Sequence, residues 1–162
     1  MRLLIKNKEG LTLVEMLIYI AIFSISISAI VSYFLMINSV NTKSLIVSKV
    51  ESDSQYIFST LEKNILNSND IIFPEEGMSS STLILATPDL TFHQKNGTLF
   101  LEESNGVEFP LSSNGIVVSD LEFFISGNDK KNVRITFWLR AEKENIIDFS
   151  YKRKYYNSFT IR

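Results

Sequence analysis

The stretch MLIYIAIFSISISAIVSYFLMI, Met16 to Ile37, decides the fold, because its 22 consecutive residues contain no charge, proline or glycine. At ~1.5 Å per residue they make a helix roughly 33 Å long, enough to cross a hydrocarbon core of about 30 Å. The apolar region of a secretory signal peptide usually runs about 7–15 residues and ends at a small-residue site. This block is longer, although SISISA at 24–29 leaves room for a conventional cleavage site. On its N-terminal side Arg2, Lys6 and Lys8 stand against Glu9 alone. By the positive-inside rule that end stays cytoplasmic and the C-terminal part is exported.

Working outward, the rest of the chain has the composition of a soluble domain. The whole chain, with 162 residues, 45% hydrophobic, 12% aromatic and 21% charged, is neither disordered nor collagen-like. Sixteen Lys+Arg against 18 Asp+Glu give a formal net charge of −2. That balance, with no basic stripe of interleaved aromatics standing out, argues against nucleic acid as a partner. The chain has no cysteine, which excludes disulfides, thiolate metal sites and cysteine nucleophiles. A sole histidine, His93, makes a His-ligated metal site or a His-dependent triad hard to build. The expectation is therefore no metal, no cofactor and no catalytic residue.

No proline or glycine occurs between Gly10 and Pro74, so nothing demands that the helix stop where the apolar block ends. After Ile37 the pattern turns amphipathic: Val40, Ile46, Val50, Ile57, Leu61 and Ile65 recur at spacings of three, four or seven, with Lys43, Lys49, Glu51, Asp53 and Lys63 between them. One helix of about 55 residues is the simplest reading. Its transmembrane half is 11–37 and its amphipathic half 38–70, ended by Asn67-Ser-Asn-Asp70, Pro74 and Gly77.

From residue 82 the sequence changes to short runs rich in Ile, Val, Phe and Thr. Candidate strands are Thr82–Thr87, Leu90–Gln94, Thr98–Glu102, Val107–Phe109, Ile116–Val118, Leu121–Ser126, Val133–Ala141, Ile146–Lys152 and Ser158–Arg162. Asn96-Gly97 is the strongest hairpin signal and Asn105-Gly106 the second. Strands joined by tight turns give an antiparallel sheet, so 71–162 forms an antiparallel β-sheet globular domain. Val133, Ile135, Phe137 and Leu139 alternate with Arg134, Thr136, Trp138 and Arg140, which gives an apolar face for the striped half of the helix. The fold class is α+β. Glu75–Ser81 is the most loop-like segment.

Three clusters have bland readings. His93, beside Phe92 and next to the Asn96-Gly97 turn, reads as a surface or edge histidine rather than a ligand. Asp129 with Asn128 and Asn132 has Lys130 and Lys131 inside it and lacks the regular acidic spacing of a calcium loop. Lys152-Arg-Lys154 with Tyr151, Tyr155 and Tyr156 mixes cations and aromatics, but three charges near a C-terminus read as an exposed turn. The pairs Glu75-Glu76 and Glu102-Glu103 show no sign of a catalytic cleft.

Glu15 lies at the edge of the apolar block, within Leu11-Thr-Leu-Val-Glu15-Met-Leu-Ile. An ionisable group costs about 2.5–3.5 kcal/mol at the centre of a membrane helix and less near the interface, so Glu15 needs either water or a partner. A short basic leader, Gly10, Leu-Thr-Leu-Val-Glu and an uninterrupted apolar helix stand here in register. Over residues 6–37 this resembles the type IV pilin-like family, whose signature is a glycine cleavage site, a hydrophobic first residue, Thr-Leu-hydrophobic-Glu and a transmembrane helix. Leu11 replaces the usual phenylalanine, and Glu9 stands where the family mostly has a basic residue.

The resemblance implies that residues 1–10 are a prepilin leader, cut between Gly10 and Leu11 by prepilin peptidase, with N-methylation of Leu11. Losing the leader would remove three basic residues and one acidic one, so the remainder would be more acidic. Glu15 would serve assembly by pairing with the Leu11 amine of a neighbouring subunit. The C-terminal part resembles, more loosely, minor pilins and the J-type minor pseudopilin of type II secretion. This rests on Leu83-Ile-Leu, Gly97-Thr-Leu-Phe-Leu, Phe109-Pro-Leu, and Val117-Val-Ser-Asp-Leu-Glu-Phe-Phe124 paired with Val133-Arg-Ile-Thr-Phe-Trp-Leu139.

The implied function is a structural subunit, not an enzyme, of a type IV pilus, type II secretion or DNA-uptake filament. Its implied partners are other pilin or pseudopilin subunits, the peptidase, an inner-membrane assembly platform and membrane lipid. Its implied place is the bacterial inner membrane, spanned once, and then the filament. The alternatives are a membrane-anchored extracytoplasmic binding module that does not assemble, and an anchored enzyme.

Overall fold

The computed structural model describes residues 12–127, 132–141 and 150–161. A single α-helix, α1, runs from Leu13 to Asn67 over 55 residues, as its freedom from glycine and proline predicts. The chain divides into two units, residues 1–42 and 43–162. In the first, every large apolar side chain from Leu13 to Ile37 is 38–77% exposed, so the described residues leave this segment uncovered. The helix is long and apolar enough to cross a membrane.

In the second unit the helix buries Val50, Asp53, Ser54, Ile57, Leu61 and Ile65. Ile46 packs partly against the same core, whereas Val40 is exposed and the stripe does not extend to it. The last helical residue is Asn67, three short of the expected end. The chain turns where the Ser68 hydroxyl donates to the Asp70 carbonyl (2.7 Å).

Among the described residues nine strands follow: β1 Ile71–Phe73, β2 Ser79–Ser80, β3 Leu83–Leu85, β4 Leu90–Lys95, β5 Thr98–Glu103, β6 Glu108–Pro110, β7 Ile116–Ser126, β8 Asn132–Ala141 and β9 Lys152–Thr160. All described pairings are antiparallel, but they form two sheets rather than one, ordered β1-β3-β4-β5-β6 and β2-β7-β8-β9. The chain leaves the first sheet after β6, through a turn where Gly115 has φ +83° and the Ile116 amide donates to the Ser113 carbonyl. The runs 116–118 and 121–126 are one strand interrupted by a bulge: the register shifts between Ser119 and Glu122, and Asp120 has φ +52°. Strand β9 spans Lys152–Thr160, where separate runs at 146–152 and 158–162 were expected; residues 146–149 lie outside the described residues.

Asn96-Gly97 turns the β4–β5 hairpin with φ of +52° and +77°, the pair of positive angles that a two-residue turn of this hand requires. The turn is also wedged against β7: the Val118 amide donates to the Gly97 carbonyl at 2.7 Å, and a β-carbon at Gly97 would meet Val117 Cγ1 at 2.9 Å. On β8, Val133, Ile135, Phe137 and Leu139 are buried, as their alternation predicts. Phe58 of the helix packs on this second sheet, its ring 5.2 Å from Phe137 and 6.5 Å from both Tyr155 and Phe159. The core takes residues from the helix and both sheets, with Phe92, Phe123 and Phe137 fully buried.

Candidate functional site

Thr12 sits immediately before the first helical residue, and its hydroxyl accepts a hydrogen bond from the Glu15 amide at 3.3 Å. The Met16 amide donates to the Thr12 carbonyl at 3.1 Å. Thr12 is therefore the N-cap, with Glu15 three residues on, the Thr-x-x-Glu spacing of a capping box. An acidic side chain in the first turn also faces the positive end of the helix dipole. The capping position of Thr12 is legible in the four residues Thr12-Leu-Val-Glu15, which also belong to the signature.

The Glu15 side chain is exposed, and among the described residues its carboxylate has no hydrogen-bond or ion-pair partner. Gly10 and Leu11, the expected cleavage and methylation positions, lie outside the described residues. Beyond Glu15 the hydroxyls of the apolar segment turn back on their own helix. Ser24 donates to the Ile20 carbonyl (2.8 Å), Ser26 to Ile22 (2.9 Å), Ser28 to Ser24 (2.9 Å) and Ser32 to Ser28 (2.8 Å). In hydrocarbon an unsatisfied hydroxyl is costly, and this back-bonding removes the cost without help from outside the helix. The segment is thus apolar in most side chains, satisfied in its serine hydroxyls, and marked at its start by one carboxylate that has no partner among the described residues.

In the second unit charged side chains of the helix, Lys49 and Glu51 among them, hold the β-domain. Lys49 Nζ donates to the Asn114 carbonyl at 2.6 Å. Glu51 Oε1 accepts from Arg153 Nη1 at 2.6 Å and from the Tyr151 hydroxyl at 3.1 Å. Partial burial pushes the Glu51 carboxyl up, but the Tyr155 and Tyr151 hydroxyls and the Arg153 guanidinium outweigh it and hold it below its ordinary value. Of these, Tyr151 and Arg153 have hydrogen-bonding geometry, while the buried Tyr155 hydroxyl does not and acts through proximity. Burial, and then the neighbouring carboxylate, drive the Tyr155 hydroxyl far above the usual phenol range.

His93 is half-buried on β4, which lies between β3 and β5, so it is not on an edge strand. Its ring stacks on Phe100 with centroids 5.9 Å apart. Nδ1 faces Glu102 at 3.7 Å and Nε2 faces Glu108 at 3.5 Å. Glu102 and Glu108 are direct cross-strand partners, an unfavourable juxtaposition that the imidazole and Lys95 relieve. Lys95 Nζ lies 3.0 Å from both Glu108 oxygens; its hydrogen bond holds the Glu108 carboxyl below the ordinary range. One histidine and two carboxylates could hold a divalent ion, and sequence spacing alone did not bring them together. Here the two ring nitrogens address different carboxylates and a lysine holds one of those, so the group reads as an internally paired surface cluster. The possible calcium loop at 128–132 falls largely outside the described residues.

No curated protein and no solved structure matches the chain. Residues 5–31 match the family model described as the prokaryotic N-terminal methylation motif. That motif marks substrates of prepilin peptidase, in a family that is structural rather than catalytic. With the capped, apolar helix that follows, the chain carries a type IV pilin-like signature at its N-terminus.

Proposed function

We propose that the chain is a minor pilin or pseudopilin, a structural subunit that waits in the inner membrane and enters a type IV filament. Prepilin peptidase cuts between Gly10 and Leu11 on the cytoplasmic side and methylates the new amine of Leu11. A glycine at the cut allows the enzyme close approach to the backbone. The carboxylate of Glu15 then pairs with the Leu11 amine of a neighbouring subunit, and the β-domain is carried outward. A pilus, a secretion filament and a DNA-uptake filament would each use the subunit in this way.

The observation that carries this reading is the state of the first helical segment. Its large apolar side chains are all exposed, its serine hydroxyls are satisfied internally, and its carboxylate has no partner among the described residues. Lipid accounts for the apolar surface, but a carboxylate in apolar surroundings calls for a counter-charge, which the free amine of a second chain supplies.

The test is Gly10→Val expressed in the native host. Mass spectrometry of the membrane fraction is expected to find the uncleaved precursor, and sheared filament fractions to lack it. Unchanged processing and behaviour would instead indicate a membrane-anchored binding module that does not assemble.

A further inference from the structure

The cation-aromatic cluster near the C-terminus is not a turn. Strand β9 deals it to two sides: Arg153 and Tyr155 face the helix, while Lys152, Lys154 and Tyr156 face outward. Register places Lys152 opposite Arg140, Lys154 opposite Trp138, and Tyr156 opposite Thr136 on β8. Arg134 stands farther along the same outward face. Four cations thus share the outer side of β8 and β9. Among the described residues the nearest acid on this face is Glu122 of β7, which stands opposite Thr136 and leaves the cations in excess.

Two features show that this face is built for a negative partner. Arg140 and Lys152 are direct cross-strand partners, which costs stability when both are charged. Among the described residues neither Arg140 nor Lys154 has a carboxylate partner. In addition, the aromatics hold cations in place: Lys152 Nζ lies 4.6 Å above the Trp138 ring and the Arg134 guanidinium 4.8 Å from the Phe124 ring. Tyr156 is left 78% exposed, in a shallow cleft lined by Glu122, Arg134, Thr136 and Lys154. Same-face positions recur every ~6.8 Å along a strand, so the charges form a line rather than a point.

We propose that the outer face of β8 and β9 binds single-stranded nucleic acid, with the four cations tracking phosphates and Tyr156 stacking on a base. Cations in a line with an exposed ring are the elements of sequence-tolerant strand binding. The overall charge of −2 concealed this face, because a net count carries no information on where the cations stand. The proposal stands whether or not the chain assembles into filaments.

The test uses the full chain in a neutral detergent and a fluorescein-labelled (dT)20, with binding read by anisotropy. Saturable binding is expected, weakening with salt at a log–log slope of about three for four phosphate contacts. Lys152→Glu/Lys154→Glu is expected to weaken it at least tenfold. Tyr156→Ala is expected to weaken it about tenfold, with Tyr156→Phe close to wild type. Far-UV circular dichroism unchanged from wild type shows that the variants are folded. Absence of saturable binding overturns the proposal. So does binding indifferent to the double substitution, which would place it on the basic leader. Polygalacturonate competing as well as unlabelled (dT)20 while Tyr156→Ala changes nothing overturns it too, in favour of a general polyanion surface.

Discussion

Asp53, in the middle of the helix, accepts two hydrogen bonds of 2.7 Å from Ser113, one from its amide and one from its hydroxyl. An acidic residue on the buried stripe of a helix is ordinarily a defect. Here both carboxylate oxygens are satisfied by one residue of the turn that carries the chain from the first sheet to the second. Asp53→Ala is expected to cost about 1–3 kcal/mol, because the Ser113 donors lose their acceptor in a part-buried place. Asp53→Asn, which keeps one acceptor oxygen, should recover part of that. Unfolding of the full chain in detergent, followed through the fluorescence of its single tryptophan, Trp138, measures both.

The Glu51 carboxyl gives the domain a pH dependence of definite sign. It is held below its ordinary value of 4.5, so folding favours its charged form. Its contribution is complete at pH above that ordinary value and is lost as pH falls through the lower value of the folded state. Glu51→Gln should therefore be less stable than wild type at pH 7, with the gap closing in acid below pH ~4. A gap that persists unchanged at pH 3 would show that the Tyr151 and Arg153 contacts work through packing instead.

Gly97 has two separate reasons to be glycine: a positive φ and the proximity of Val117. Gly97→Ala should destabilise the β-domain by about 1–3 kcal/mol, since both the backbone angle and the β7 contact must shift. Gly106 has a similar φ of +80° but nothing within 4 Å of its absent β-carbon. Gly106→Ala should therefore cost less than Gly97→Ala in the same denaturation series.

The Glu15 carboxylate makes no described contact within the chain, and Glu15→Ala keeps the amide that caps on Thr12, so the change should leave the isolated subunit nearly as stable as before while harming assembly. Glu15→Ala is expected to be processed and membrane-bound but excluded from filaments, and Glu15→Gln to behave likewise because it lacks the charge. Incorporation of Glu15→Ala at wild-type levels, scored by immunoblot of sheared filaments, would show that the carboxylate has no part in subunit pairing.

The large elements were legible because their signals are local. The uninterrupted apolar run and the 40–65 stripe predicted the helix, the alternation along 133–139 predicted β8, and Asn96-Gly97 predicted its hairpin. The shortest strands, Ile71–Phe73 and Ser79–Ser80, escaped because two or three residues show no period. The bulge at Asp120 split one strand into two because Ser119-Asp120 resembles turn chemistry. The division into two sheets is a long-range choice, as are the Glu51 and Asp53 clamps, whose partners lie 60 or more residues away. The outward face of β9 is different: its alternation was present in Lys152-Arg-Lys154-Tyr-Tyr156, but only two inward positions, Tyr155 and Phe159, are buried. That is too little contrast to reveal a strand.

The serines folded back onto the first helical segment have an effect on how it meets others. A neighbouring helix finds no idle serine donor at positions 24, 26, 28 or 32; the hydroxyls it can still meet are the phenols of the exposed Tyr19 and Tyr33. Elsewhere it meets aliphatic and aromatic relief, which sorts company by contour and is indifferent to exchange of one aliphatic residue for another of similar bulk. On the proposed assembly, the instruction about where to stop sliding then falls to one carboxylate at the start of the segment.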